Sequence, residues 1–250
     1  MNQQSTQKFL IIATIAAMVL FVVGTFIANM SHTPERITED SHEQPTLGNP
    51  KAPVKVIVFL EPKSKESKNF NDNVYPQIDR NFIVTNKISY TVIVVSYLAD
   101  SQLAAMALQC VYYQDGKTFN NDLFFVYLNT MYRNQSPSNE NWATEDKLLQ
   151  MAKQASPKID VDKLKKCLVS NVYNTQLRRN TDYAKRLIGT LETPAVFVNG
   201  VRVKDYSFKE LSKAILMEMP APATQATPAT TPTQTQTPST GVAPSEPQPN

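Results

Sequence analysis

Residues 48–67 read Gly48-Asn49-Pro50-Lys51-Ala52-Pro53-Val54-Lys55-Val56-Ile57-Val58-Phe59-Leu60-Glu61-Pro62-Lys63-Ser64-Lys65-Glu66-Ser67. The run Val54 to Leu60 is near-continuous in apolar, largely β-branched residues, which suits a strand buried on both faces. It ends at a polar turn, Glu61-Pro62-Lys63. A helical stretch follows from about Ser64 toward Ile78, with Phe70, Val74 and Ile78 at spacing four on one face. Pro76 is expected to kink it.

Working outward, Ile88 to Leu98 is a second strong strand. A helical block then intervenes: Leu103 to Gln114, Phe119 to Tyr132, Thr144 to Ala155 and Val161 to Ser170 each carry helical apolar spacing, broken at Ser136-Pro137 and Ser156-Pro157. A further helix over about Val172 to Leu187 leads to Thr193-Pro194. A strand pair follows, Ala195–Val198 and Val201–Val203, turned at Asn199-Gly200. Ser207 caps a last helix carrying Phe208, Leu211, Ile215 and Leu216. The class is α/β.

The Gly-Asn-Pro-x-Ala-Pro stretch before the first strand, and the Thr193-Pro194-x-x-Phe197-Val198-Asn199-Gly200 run, resemble the DsbA-like branch of the thioredoxin superfamily. The resemblance covers about Gly48 to Met217. It implies a thioredoxin fold with an inserted helical domain at about 101–171, the whole domain spanning 48–219. In that family the turn after the first strand carries Cys-x-x-Cys at a helix start. Here those positions read Ser64-Lys65-Glu66-Ser67.

That substitution decides the functional expectation. A thiolate at a helix N-terminus does the family's chemistry by attacking disulfides; a serine hydroxyl forms no disulfide. Activation of Ser64 as a hydrolytic nucleophile needs a base in reach, and both histidines, His32 and His42, lie outside the folded part. Ser64 instead reads as a helix cap, with Glu66 and Ser67 in the first turn. No catalytic residue is expected at the degenerate motif.

Cys110 and Cys167 are the only two cysteines of the chain. Some family members carry a second, non-catalytic pair in corresponding helices, so the resemblance implies a Cys110–Cys167 disulfide. It would close 57 residues and contribute about 4 kcal/mol in the chain-entropy model. A reactive redox pair is the functional alternative, and two buried free thiols the remaining one. If Pro194 is cis, as the resemblance implies, Thr193 offers its backbone to an extended chain, a mode of peptide binding that survives loss of the thiols. Glu192 stands where family members often have glycine.

The N-terminus reads separately. Phe9 through Ala28 is apolar and uncharged, about the ~20 residues a helix needs to span a bilayer. Lys8 precedes it and no Lys or Arg follows until Arg36, which favours the N-terminus inside. An uncleaved anchor (1–29) is preferred over a cleaved signal peptide, because cleavage after Ala28 would leave Phe26 where a small side chain is wanted. Residues 30–47 read as a polar, acidic tether with a reach of about 20–25 Å. Residues 220–250, rich in Pro, Thr, Ala and Gln, read as a disordered tail.

The net charge of +3 over 250 residues is dispersed and argues against nucleic acid. The run Lys163, Lys165, Lys166, Arg178, Arg179, Lys185 and Arg186 reads as a solvated helical face, and Tyr112-Tyr113, Phe124-Phe125 and Trp142 as core of the insertion. No cluster has metal spacing and no cofactor is expected. The expectation is a single-pass protein of the bacterial inner membrane, held through 9–28, with its domain in the periplasm. Its thioredoxin-like domain is expected to be redox-inactive and to serve as a binding or scaffolding module for an envelope partner. The alternatives are a thiol-disulfide oxidoreductase or isomerase using Cys110 and Cys167, and a peptide-binding chaperone using the Pro194 edge.

Overall fold

Two parallel strands buried on both faces, β2 (Val54–Leu60) and β3 (Ile88–Val94), form the centre of the molecule. They run in register from Val54 opposite Ile88 to Leu60 opposite Val94. The computed structural model describes residues 13–19, 44–114, 119–136 and 141–220. β1 (Thr46–Gly48) flanks β3 antiparallel, and β4 (Ala195–Val198) and β5 (Val201–Val203) extend the other side antiparallel, in the order β1-β3-β2-β4-β5.

A parallel pair needs a crossover. Here it is α1 (Lys65–Asn73), α2 (Tyr75–Ile78) and a π-helical turn, Asp79–Ile83. The expected single kinked helix is thus two helices. Proline lacks an N–H and its ring opposes the carbonyl four residues back, so the first helix stops at Asn73 and Pro76 sits in the first turn of the next. The second strand ends at Val94, short of the expected Leu98.

Period-two alternation divides the sheet between two cores. Val54, Val56, Val58 and Leu60, with Ile88, Tyr90, Val92 and Val94, join Phe70 and the helical insertion. Ile57, Phe59, Ile93 and Phe197 face the other way, against Ala184, Tyr183 and Leu187. Those last three lie on α7 (Asn174–Ile188), which is preceded by the four insertion helices α3 (Gln102–Tyr112), α4 (Asn121–Arg133), α5 (Glu145–Ala155) and α6 (Val161–Ser170). Asn120, Thr144 and Asp160 cap α4, α5 and α6 through their side chains. Tyr112, Phe124, Phe125 and Trp142 are buried, as expected, and the seven basic residues of α6 and α7 are exposed.

The β4–β5 hairpin turns at Asn199 (φ 46°) and Gly200 (φ 84°), both left-handed, as a two-residue turn of matching twist requires. Ser207 caps α8 (Phe208–Met217).

The folded part begins earlier than the sequence suggests. Gln44 is buried and its amide donates to Asn180 Oδ1 at 3.1 Å, while the Thr46 N–H donates to Asn121 Oδ1 at 2.8 Å. Residues 44–47 carry no local signal of this order, because their partners lie far away in the chain. Among the described residues no helix is long and apolar enough to cross a membrane. The anchor expected over 9–28 lies outside the described residues except for 13–19, which are helical. Most of the tether and residues 221–250 of the tail also lie outside them.

Candidate functional site

Because β2 and β4 are antiparallel neighbours, the end of β2 and the start of β4 meet at one end of the sheet. Ser64 follows β2 and is the N-cap of α1 in extended backbone (φ −71°, ψ 127°), its Oγ accepting the Ser67 N–H at 3.0 Å. That is the cap the sequence implied. The Ser64 hydroxyl also has two acceptors within reach, the Thr193 carbonyl and Glu66 Oε2, each at 3.2 Å. The Thr193–Pro194 peptide bond is cis, and Tyr97 Oη lies 2.9 Å from Thr193 Oγ1. Ser64, Ser67, Thr193 and Pro194 are therefore brought together.

Beneath the helix mouth sits a residue the sequence reading passed over as part of a polar turn. Glu61 is fully buried; Oε2 accepts the Lys63 N–H at 2.6 Å, while Oε1 finds no hydrogen-bond partner among the described residues. Burial pushes its carboxyl up from 4.5 to about 7, against the pull of the Ser101 hydroxyl and the Lys63 and Ser64 N–H groups. The Ser67 hydroxyl accepts the Glu61 N–H at 3.3 Å, and Tyr132 donates its hydroxyl to the Glu61 carbonyl at 3.1 Å. A carboxylate adjoining a buried strand was the available signal.

A groove of about 280 Å³ runs along the Thr193–Pro194 edge, lined by Glu66, Tyr97, Glu192, Arg202 and Tyr206 among others. The Thr193 N–H makes no backbone–backbone hydrogen bond among the described residues, and the Tyr97 hydroxyl oxygen is its nearby acceptor. Serines at 64 and 67 exclude sulfur exchange here. The sulfur lies elsewhere: Cys110 on α3 and Cys167 on α6 form a disulfide (S–S 2.02 Å). Cys110 is buried and Cys167 partly exposed. No group of three or more His, Cys, Asp or Glu side chains among the described residues has the arrangement to hold a metal.

The model of the family described as Thioredoxin matches residues 40–216, and the probable disulfide bond formation protein D of Bacillus anthracis is 31% identical over 205 residues, 80% of this chain and 91% of that one. This is a DsbA-like thioredoxin-family protein. Disulfide bond formation protein D of Bacillus subtilis is 27% identical over 178 residues, 70% of this chain and 77% of that one. Among solved structures, Chlamydia trachomatis DsbA superposes with a TM-score of 0.67 at 29% identity, covering 72% of this chain and 94% of its own. Oxidised BdbD from Bacillus subtilis does so with a TM-score of 0.64 at 27% identity, covering 70% and 92%.

These likenesses overturn the expectation of a redox-inactive binding or scaffolding module. The DsbA-like relatives bear the names of disulfide bond formation proteins, and this chain carries a formed disulfide. The expectation passed too readily from the helix mouth to the whole protein. Two hydroxyls exclude exchange at Ser64 and Ser67, and they leave the chemistry of Cys110 and Cys167 untouched.

Proposed function

We propose that this DsbA-like protein is a thiol-disulfide oxidoreductase whose exchanging pair is Cys110–Cys167. The observation that carries the reading is the asymmetry of the one disulfide, with Cys110 buried and Cys167 partly exposed on α6. An incoming substrate thiolate attacks Cys167 Sγ, the Cys110–Cys167 bond breaks, and the Cys110 sulfur leaves and takes up a proton. A second substrate thiolate then displaces Cys167, so the substrate gains a disulfide and the protein holds two thiols. The exposed Lys166 beside Cys167 favours the approach of an anionic sulfur. Starting from the reduced pair, the Cys167 thiolate attacks a substrate disulfide and a different substrate thiolate then displaces Cys167, which gives isomerisation with no net oxidation.

The supporting setting is extracytoplasmic. A formed disulfide belongs to an oxidising compartment, and the apolar run 9–28 with Lys8 before it suits an anchor in the bacterial inner membrane with the domain in the periplasm. The partner is then an envelope polypeptide carrying free thiols.

The test is oxidative refolding of reduced ribonuclease A with oxidised glutathione as terminal oxidant. The full chain should raise the rate above the glutathione background, and Cys110→Ser or Cys167→Ser should abolish the gain. Acceleration that survives in the double variant would overturn the assignment.

A second reading, peptide binding beside Thr193–Pro194, is supported by the groove and by a Thr193 main chain that makes no backbone–backbone hydrogen bond among the described residues. Suppression of aggregation of an unfolded protein should weaken in Thr193→Trp, and no change would count against it.

A further inference from the structure

Ser64 has one hydroxyl proton and two acceptors for it. Its Oγ already accepts the Ser67 N–H, so only donation is left to allocate. The Thr193 carbonyl and Glu66 Oε2 stand at equal distance, 3.2 Å, in different directions. One acceptor is main chain on the edge that an extended polypeptide would pair with. The other is a carboxylate lining the same groove. A cysteine at position 64 would make only a weak donor, so the competition arises from the serine itself.

We infer that Ser64 and Glu66 form a donor switch: when an extended polypeptide gives its own N–H to the Thr193 carbonyl, the Ser64 hydroxyl rotates onto Glu66. The inference rests on the peptide-binding reading of this edge and assigns Glu66 as a positioning residue within it. Two observations carry it. The hydroxyl turns about a single bond, so the exchange needs no backbone movement. The alternative acceptor is charged, and hydrogen bonds to charged groups are the stronger kind. Without Glu66, the hydroxyl has only the Thr193 carbonyl as acceptor among the described residues and competes with the ligand.

The test is a double-mutant cycle on the full chain, with binding of fluorescently labelled carboxymethylated α-lactalbumin, an unfolded polypeptide without free thiols, measured at fixed ionic strength. Glu66→Ala should weaken binding about fivefold, the worth of one net hydrogen bond. Glu66→Gln, which keeps an acceptor oxygen but no charge, should restore most of the affinity. In a Ser64→Gly background, where glycine still serves as a helix cap, Glu66→Ala should have no effect. Equal weakening by Glu66→Ala in both backgrounds, or a Gln variant as weak as Ala, would show an ordinary charge contact and overturn the switch. Absence of binding by both the natural chain and Ser64→Gly would instead defeat the peptide-binding reading, and the switch with it.

Discussion

Ser64 Oγ lies 3.2 Å from the carbonyl oxygen of Thr193, a residue 129 positions further along the chain. The contact follows from topology. Phe59 pairs with Ala195 in the antiparallel β2–β4 ladder, so the helix start after β2 and the Thr193–Pro194 turn before β4 emerge at the same place. The arrangement depends on strand register and not on which atom occupies position 64.

The helix mouth should therefore accept a redox pair. Introducing Ser64→Cys with Ser67→Cys into a Cys110→Ser/Cys167→Ser background should create insulin-reducing activity where the parent has none. A helix N-terminus favours the thiolate form. Two thiols titratable after reduction, with no disulfide formed under mild oxidation, would show that the site has lost the geometry of its relatives.

Replacing Cys110 by Ser should destabilise the domain by about 4 kcal/mol, because the bridge closes 57 residues between α3 and α6. Urea unfolding followed by circular dichroism measures this directly. Cys167→Ser should cost a similar amount, since either change removes the same constraint on the unfolded chain. A loss under about 1 kcal/mol would mean that the insertion helices hold together without it.

Glu61 makes stability depend on pH. Its folded carboxyl titrates at about 7 against an ordinary 4.5, so between those values the folded state holds a proton that the unfolded chain has lost. The contribution is fully present below about 4.5 and is lost as pH rises through 7, a swing of about 3 kcal/mol. Glu61→Gln should remove that dependence. Thermal melts across pH should show the variant gaining on the natural chain at pH 8 and matching it near pH 4; parallel curves would contradict a buried, weakly acidic Glu61.

Gly48 ends β1 with φ at +80°, and a Cβ there would press on the Ile88 carbonyl. Gly48→Ala should cost about 2 kcal/mol or more, from strain in the left-handed region and from the clash. Hydrogen exchange should show the loss concentrated in β1 and its partner β3. An unchanged melting temperature would mean that residues 44–48 add nothing to the fold.

Much of the architecture was legible in local pattern. The β-branched run Val54–Leu60, the helical spacings of the insertion and the Asn199-Gly200 turn depend on neighbours within a few residues, so they could be read without a structure. At Pro76 the local pattern predicts a kink where the structure has a break, because a helix can end and restart as readily as bend. The same local logic identified Ser64 as a cap. It failed at residues 44–47, whose ordering depends on Asn121 and Asn180.

The sequence by itself determined the order of strands and helices from Val54 onward apart from the break at Pro76, the absence of thiols at positions 64 and 67, and the existence of just one pair of thiols. Only the tertiary structure decided that Cys110 and Cys167 are joined with one partner buried and the other partly open, that Glu61 is shut away from water, and that Ser64 must divide its proton between Thr193 and Glu66. Periodicity and side-chain chemistry are carried by adjacent residues. Burial, pairing and competition for a hydrogen bond depend on atoms that approach only when strands far apart in the chain align.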